Sequence, residues 1–153
     1  MNQIAQILPP GNIMMGLDVG SKKRVFEQVG LRLESNEGIA RSATYNALFS
    51  REKLGSTGLG EGVAIPHGRI KGAQDVKGAF VKLVQPIPFD APDGLPVDLL
   101  FVMLVPEAST EYHLQLLSEL AQMFSDSEFR DQLRMARDVH SLHDAFTKWY
   151  PAN

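Results

Sequence analysis

A layered α/β domain, a single mixed sheet of roughly five strands flanked by helices, is the fold class that the sequence predicts. Three observations carry this expectation. Residues 97–105, VDLLFVMLV, are almost continuously apolar, as a strand covered on both faces requires. Several other segments repeat apolar residues at helical spacing, and helices mixed with a few strands assemble in layers. A length of 153 residues with 44% hydrophobic and 22% charged residues fits one domain spanning 1–153 with a substantial core.

The elements follow in chain order. Residues 9–20, PPGNIMMGLDVG, hold two prolines and three glycines and read as an irregular lead-in with one short strand. Ser21 caps a helix whose Val25, Val29 and Leu33 share a face, and Gly38 ends it. A second helix covers about 42–53 and Gly55 closes it. The small-residue loop GSTGLGEG at 55–62 leads into a short strand, Val63–Ala64–Ile65, and the polar tripeptide Pro66-His67-Gly68. Residues 76–84, VKGAFVKLV, read as a strand. QPIPFDAPDGLP at 85–96 carries four prolines and a turn at Asp93-Gly94. After the apolar strand stopped by Pro106, Ser109 caps a helix of about 110–124 with Leu114, Leu117 and Ala121 on one side. Ser127 starts a shorter helix burying Phe129 and Leu133, and Ser141 a last one carrying Leu142, Ala145, Phe146 and Trp149.

Composition closes off several functions. The formal net charge of −3 argues against a nucleic-acid surface, which needs a concentrated basic stripe. The absence of cysteine excludes a disulfide framework, a thiolate nucleophile and a Cys-ligated zinc site. The start MNQIAQILPP lacks the pattern of a signal peptide, and no apolar run is long enough to span a bilayer. A cytoplasmic protein without membrane insertion is the expectation.

His67 is the first candidate for chemistry. Neutral imidazole is a nucleophile near pH 7, since its unperturbed pKa is about 6.5. Pro66 fixes the backbone before it, and Gly68 removes a side chain that would crowd an incoming group. Such a site suits phosphoryl transfer between macromolecules, which needs in-line access and donors for three equatorial oxygens. Ser56, Thr57 and the glycine-rich backbone of 58–62 offer neutral donors, and Arg51 a charged one. The tripeptide alone fits an incidental polar turn equally well. His113, in the first turn of the helix after Ser109, could hydrogen-bond a phosphoryl group on His67 or orient its ring, or could be an idle helix histidine. His140 and His143 are spaced for a metal on one helix face, but Ser141 as the cap leaves His140 outside the helix, and two surface histidines is the simpler account. GLGEG precedes a strand and has no following P-loop lysine, so it is a weak match to a nucleotide loop.

Three stretches together resemble a known family. REKLGSTGLGEGVAIPHGR at 51–69, PVDLLFVMLVPEAS at 96–109 and HLQLLSELA at 113–121 are similar to the IIA components of the bacterial phosphoenolpyruvate-dependent sugar phosphotransferase system. The type is the one shared by mannitol, fructose and nitrogen-regulatory IIA proteins. The resemblance runs from Ile4 to about Trp149, and PIPFDAPDGLPVDLLFVMLVPEAS is nearest to the nitrogen-regulatory subtype. It implies a mixed five-stranded sheet flanked by helices. It also implies that His67 accepts a phosphoryl group on its tele nitrogen from a phosphorylated HPr-like carrier, with His113 and Arg51 in support. Ser56, Thr57 and Gly68 are the phosphate-binding candidates, and no metal or cofactor is expected. The implied partners are that carrier and regulatory targets such as kinases or transporters, with self-association left open. A sugar-specific IIA passing phosphate to a IIB domain, and a binding protein that is never phosphorylated, are the competing expectations. Position 69 is arginine where some members have lysine.

Overall fold

In a computed structural model, residues 2–109 and 111–151 are described. The element order is α1 (Gln3–Gln6), a 3-10 turn (Pro10–Asn12), β1 (Ile13–Leu17), α2 (Lys22–Glu37), α3 (Arg41–Glu52), β2 (Gly58–Gly60), β3 (Val63–Ala64), β4 (His67–Ile70), β5 (Lys77–Ile87), β6 (Val97–Pro106), α4 (Glu111–Ser125), α5 (Ser127–Met135) and α6 (Val139–Lys148).

The strands form one mixed sheet of six, in the order β1-β5-β6-β3-β2, with β4 also paired to β6. The sixth strand, against about five expected, comes from counting the short β2–β3 hairpin arm and β4 separately. The apolar run is β6, and it lies inside the sheet: β5 is antiparallel on one side, and β3 and β4 follow each other in parallel on the other. Successive side chains of β6 point to opposite faces, and both faces are covered. Phe101, Met103 and Val105 join a core with α4, α5 and α6, built around Phe124, Phe129 and Phe146. Leu100, Val102 and Leu104 join a second core with α2 and α3, where Phe26, Val29, Leu33 and Leu48 are buried.

Local chemistry sets the element ends. Ser21 accepts the N–H of Arg24, and Gly38 closes α2 in the left-handed conformation at φ 71°, returning its N–H to Glu34. α5 begins at Ser127, but its cap is Asp126, which accepts from Glu128 and Phe129. α6 begins at Val139, not Ser141: the cap is Asp138, and Ser141 supplies the N–H that the cap accepts. The expected start of the fourth helix at 110 lies outside the described residues. β5 extends past Val84 to Ile87 although Pro86 lacks an N–H, because the pairing with β6 slips between Lys82 and Ile87 and no ladder bond is needed there.

The buried face of α4 differs from the stripe of Leu114, Leu117 and Ala121 that the sequence predicts. The inward stripe of α4 is His113, Leu116, Leu120, Met123 and Phe124, while Leu114 is 64% exposed and Ala121 is also outside. The buried stripe is turned by about one residue, and His113 belongs to it.

Candidate functional site

Pro66 shapes the backbone that presents His67. The proline nitrogen has no N–H for the ladder, so the strand pairing beside β6 is interrupted between Ala64 and His67. The pairing resumes at the same offset, with Val63 opposite Leu99 and His67 opposite Met103. In the gap, the Ile65 carbonyl accepts a hydrogen bond from Nδ1 of His67 at 2.9 Å, and the Ile65 N–H goes to Thr57. A carbonyl can only accept, so the ring carries its proton on Nδ1 and keeps an unshared pair on Nε2. His67 therefore opens a strand instead of lying in a free turn. Alternation along β4 sends His67 and Arg69 towards the α4 face and Gly68 and Ile70 towards α3.

The inward stripe of α4 brings the second imidazole to the first. The ring centroids of His67 and His113 are 5.3 Å apart at an interplanar angle of 69°. His113 is only 7% exposed, and its Nε2 has no hydrogen-bond partner among the described residues. Burial lowers the pKa of both rings below the ordinary imidazole value. For His67 the Ile65 carbonyl opposes this, the Arg51 and Arg69 cations add to it, and Glu52 acts the other way. For His113 the further causes are His67 and Arg69. Both rings are thus held neutral at physiological pH.

An open cleft of about 650 Å³ lies in front of the rings, lined by both histidines, Arg51, Leu54, Arg69 and Lys71 among others. Arg51, in the last turn of α3, also donates to the Gly55 carbonyl at 2.7 Å, which holds the chain as it leaves the helix. Leu54, on the rim, is 84% exposed.

Gly68 has a different reason from the one its position suggested. A Cβ there would stand 2.8 Å from the backbone and Cβ of Ala47, so the missing side chain lets α3 pack onto β4. The space is filled by the helix that carries Arg51. Gly68 still lines the cleft beside His67, whereas Ser56 and Thr57 are not among the residues that line it. The Ser56 hydroxyl donates to the Phe89 carbonyl at 2.7 Å and accepts from Gly58. Buried Thr57 gives its N–H and its hydroxyl to Glu52, whose carboxylate also holds Lys22 at 3.0 Å. These groups tie the end of α3 to the loop and to the start of α2.

Sequence reasoning did not single out Arg69 as a site residue. It lies two residues beyond His67 in a strand, so the period of two was the available signal, and reading Pro-His-Gly as a turn concealed it. His140 and His143 lie away from the cleft. His140 is the second residue of α6, not outside it, and its Nε2 is 3.8 Å from Asp144. Among the described residues no group of three His, Asp or Glu side chains could hold a metal ion. Among them, too, no helix is long and apolar enough to cross a membrane.

Comparison with known proteins adds a family. A family model described as phosphoenolpyruvate-dependent sugar phosphotransferase system, EIIA 2, matches residues 6–149. A nitrogen regulatory protein of Pseudomonas aeruginosa is 48% identical over 145 residues, covering 94% of each chain. The crystal structure of nitrogen regulatory protein IIA-Ntr from Neisseria meningitidis superposes with a TM-score of 0.89 at 46% identity, covering 94% of this chain and 99% of that one. The fold alone is shared with the mannitol IIA in its complex with phosphorylated IIB from Escherichia coli, at a TM-score of 0.74 and 18% identity, over 91% of this chain and 96% of that one.

Proposed function

Because this chain belongs to the EIIA 2 family of the phosphoenolpyruvate-dependent sugar phosphotransferase system, we propose that it is a phosphocarrier of the nitrogen-regulatory branch, accepting a phosphoryl group on Nε2 of His67. The observation that carries this reading is the hydrogen bond from Nδ1 of His67 to the Ile65 carbonyl at 2.9 Å. It leaves the nucleophilic pair on the ring nitrogen that remains free, beside an open cleft lined by arginines.

In the proposed step the donor is a phosphohistidine on an HPr-like carrier. The Nε2 pair of His67 attacks phosphorus in line, the donor's P–N bond breaks, and its electron pair stays with the donor ring. The transition state is loose, with charge on three oxygens, so positioning and fixed donors supply most of the acceleration. Arg51 offsets that charge, and Nε2 of His113, which has no partner among the described residues, supplies a hydrogen bond when it carries the ring proton. As the new P–N bond forms, positive charge grows on the His67 ring, and the bond to Ile65 strengthens with it. No proton has to move.

Phosphorylation adds about two negative charges at neutral pH. On a rim carrying Arg51, Arg69 and Lys71 this cancels much of the positive charge that a partner meets, so target proteins, kinases or transporters in the cytoplasm, would bind according to phosphorylation state. A sugar-specific role predicts something else: restored sugar phosphorylation when a IIB protein is added.

The test uses the full chain with enzyme I, the HPr-like carrier and labelled phosphoenolpyruvate. Wild type should take up label and His67→Ala should not. An unlabelled wild type, or a His67→Ala that labels equally well, overturns the reading.

A further inference from the structure

Arg69 leaves β4 on the same face as His67 and commits its guanidinium to the protein itself. Its Nη1 donates to the Glu107 carbonyl at 2.8 Å and to the Ser109 carbonyl. Its Nη2 stands 3.5 Å from Nδ1 of His113. The two carbonyls belong to the turn after β6, which is also closed by the Ser109 N–H on Pro106. One planar group thus joins the strand carrying His67, the turn leading to α4, and the ring that α4 presents.

A guanidinium has donors and no acceptor, so the facing Nδ1 of His113 can only accept, and the ring proton belongs on Nε2. That Nε2 is the buried atom with no partner among the described residues. The two imidazoles then have opposite protonation patterns: His67 holds its proton away on Ile65 and offers a lone pair, while His113 holds its lone pair on Arg69 and offers a proton. The Arg69 charge also opposes a second proton on His113, in the same direction as burial.

We infer that Arg69 is a positioning residue that fixes the orientation and tautomer of His113, so that its Nε2–H is the group presented beside His67. The use of that donor for a phosphoryl oxygen rests on the function proposed above; the protonation pattern itself does not. Three of the five N–H donors of Arg69 are directed at protein acceptors, and these hold the group in place at the edge of the cleft that it lines.

Two measurements on the full chain test this. Nitrogen NMR of the unphosphorylated protein should show His113 at neutral pH as one species, unprotonated at Nδ1. In Arg69→Met the two ring nitrogens should share the proton or average. A wild-type ring protonated at Nδ1, or a His113 spectrum unchanged in Arg69→Met, overturns the inference. The second measurement is a double-mutant cycle on the rate of phosphoryl transfer to His67. Arg69→Met should slow transfer about tenfold in the wild-type background and less than about twofold in His113→Ala. Equal losses in both backgrounds would mean that Arg69 acts on the donor or the phosphate directly, which also overturns it. Arg69→Lys, which keeps a donor and the charge, runs the same cycle with a smaller expected loss if the methionine variant does not fold. A wild type that takes no label removes the proposed function, and the NMR result then decides Arg69 alone.

Discussion

Gly68 and Ala47 lie so close that any side chain at position 68 would meet the backbone of α3 at 2.8 Å. The atoms in the way are main chain and Cβ, neither of which can swing aside. Gly68→Ala is therefore expected to push α3 off β4, costing about 1–3 kcal/mol. Urea unfolding measures the loss, and labelling of the variant should fall as well because Arg51 moves with the helix. A Gly68→Ala as stable as wild type would mean that α3 does not rest on the strand at this point.

His113→Ala removes a donor but leaves the nucleophile. Label should still reach His67, with transfer slowed by about 10²-fold, the usual cost of removing one preorganised donor. Rapid-quench labelling gives the rate, and digestion of the labelled chain identifies the residue. A rate equal to wild type would show that the donor at His113 is not used.

Burial holds both imidazoles below their ordinary pKa, and this fixes the direction of two pH effects. His67 should remain a neutral nucleophile below the value of about 6.5 at which a free imidazole is half protonated. An NMR titration of its ring checks this, and a midpoint at or above that of a model peptide contradicts it. The same depression links to stability. The unfolded chain binds protons first as pH falls, so the contribution is fully present above the unfolded value and is lost as pH drops through the lower folded value. His113→Asn should accordingly lose less stability than wild type between about pH 7.5 and about pH 5. Parallel losses in urea unfolding at the two pH values would refute it.

Glu52 is a buried carboxylate joined to Lys22 and to both donors of Thr57. Glu52→Ala leaves two polar groups of Thr57 unpaired and Lys22 with only exposed Asp90 at 3.8 Å and the Phe89 ring, and a loss of about 2 kcal/mol is expected, chiefly from the unsatisfied buried donors. Replacing both members, Glu52→Met with Lys22→Met, should recover part of it. Denaturant unfolding of the set decides, and a double variant no better than the single one would assign the loss to Thr57.

The layered α/β class and the doubly covered strand were legible in the sequence because burial on both faces leaves a continuous apolar run that few other structures explain. The caps at Ser21 and Gly38 were legible for the same local reason: each acts on its own helix end. Capping by Asp126 and Asp138 was missed because serine and aspartate compete for that role with similar chemistry, and only the backbone decides between them. Leu114, Leu117 and Ala121 also recur at helical spacing, and nothing local says that only Leu117 of the three packs against the core while Leu114 and Ala121 face out. His67, His113 and Arg51 carry side chains whose chemistry is readable from residue type and local context, and they line one cleft. Ser56 and Thr57 have the right donors, but those donors are taken by Phe89 and Glu52, partners fixed only by folding. Arg69 was overlooked because its role depends on the strand geometry after Pro66, which the prolines and glycines of that stretch made look like a turn.

The interruption at Ile65-Pro66 also works as a ruler. β3 and β4 keep one offset against β6 on either side of it, so the chain between Val63 and His67 has a length that cannot drift. One residue inserted there would put the imidazole on the face now occupied by Gly68, against α3, and one deleted would do the same. The loop after Ile70 runs through Gly72 with no sheet partner and carries no such restriction. Over long divergence, insertions and deletions should therefore collect after Ile70 and be absent between Val63 and His67, a pattern set by strand geometry and independent of which partners the protein serves.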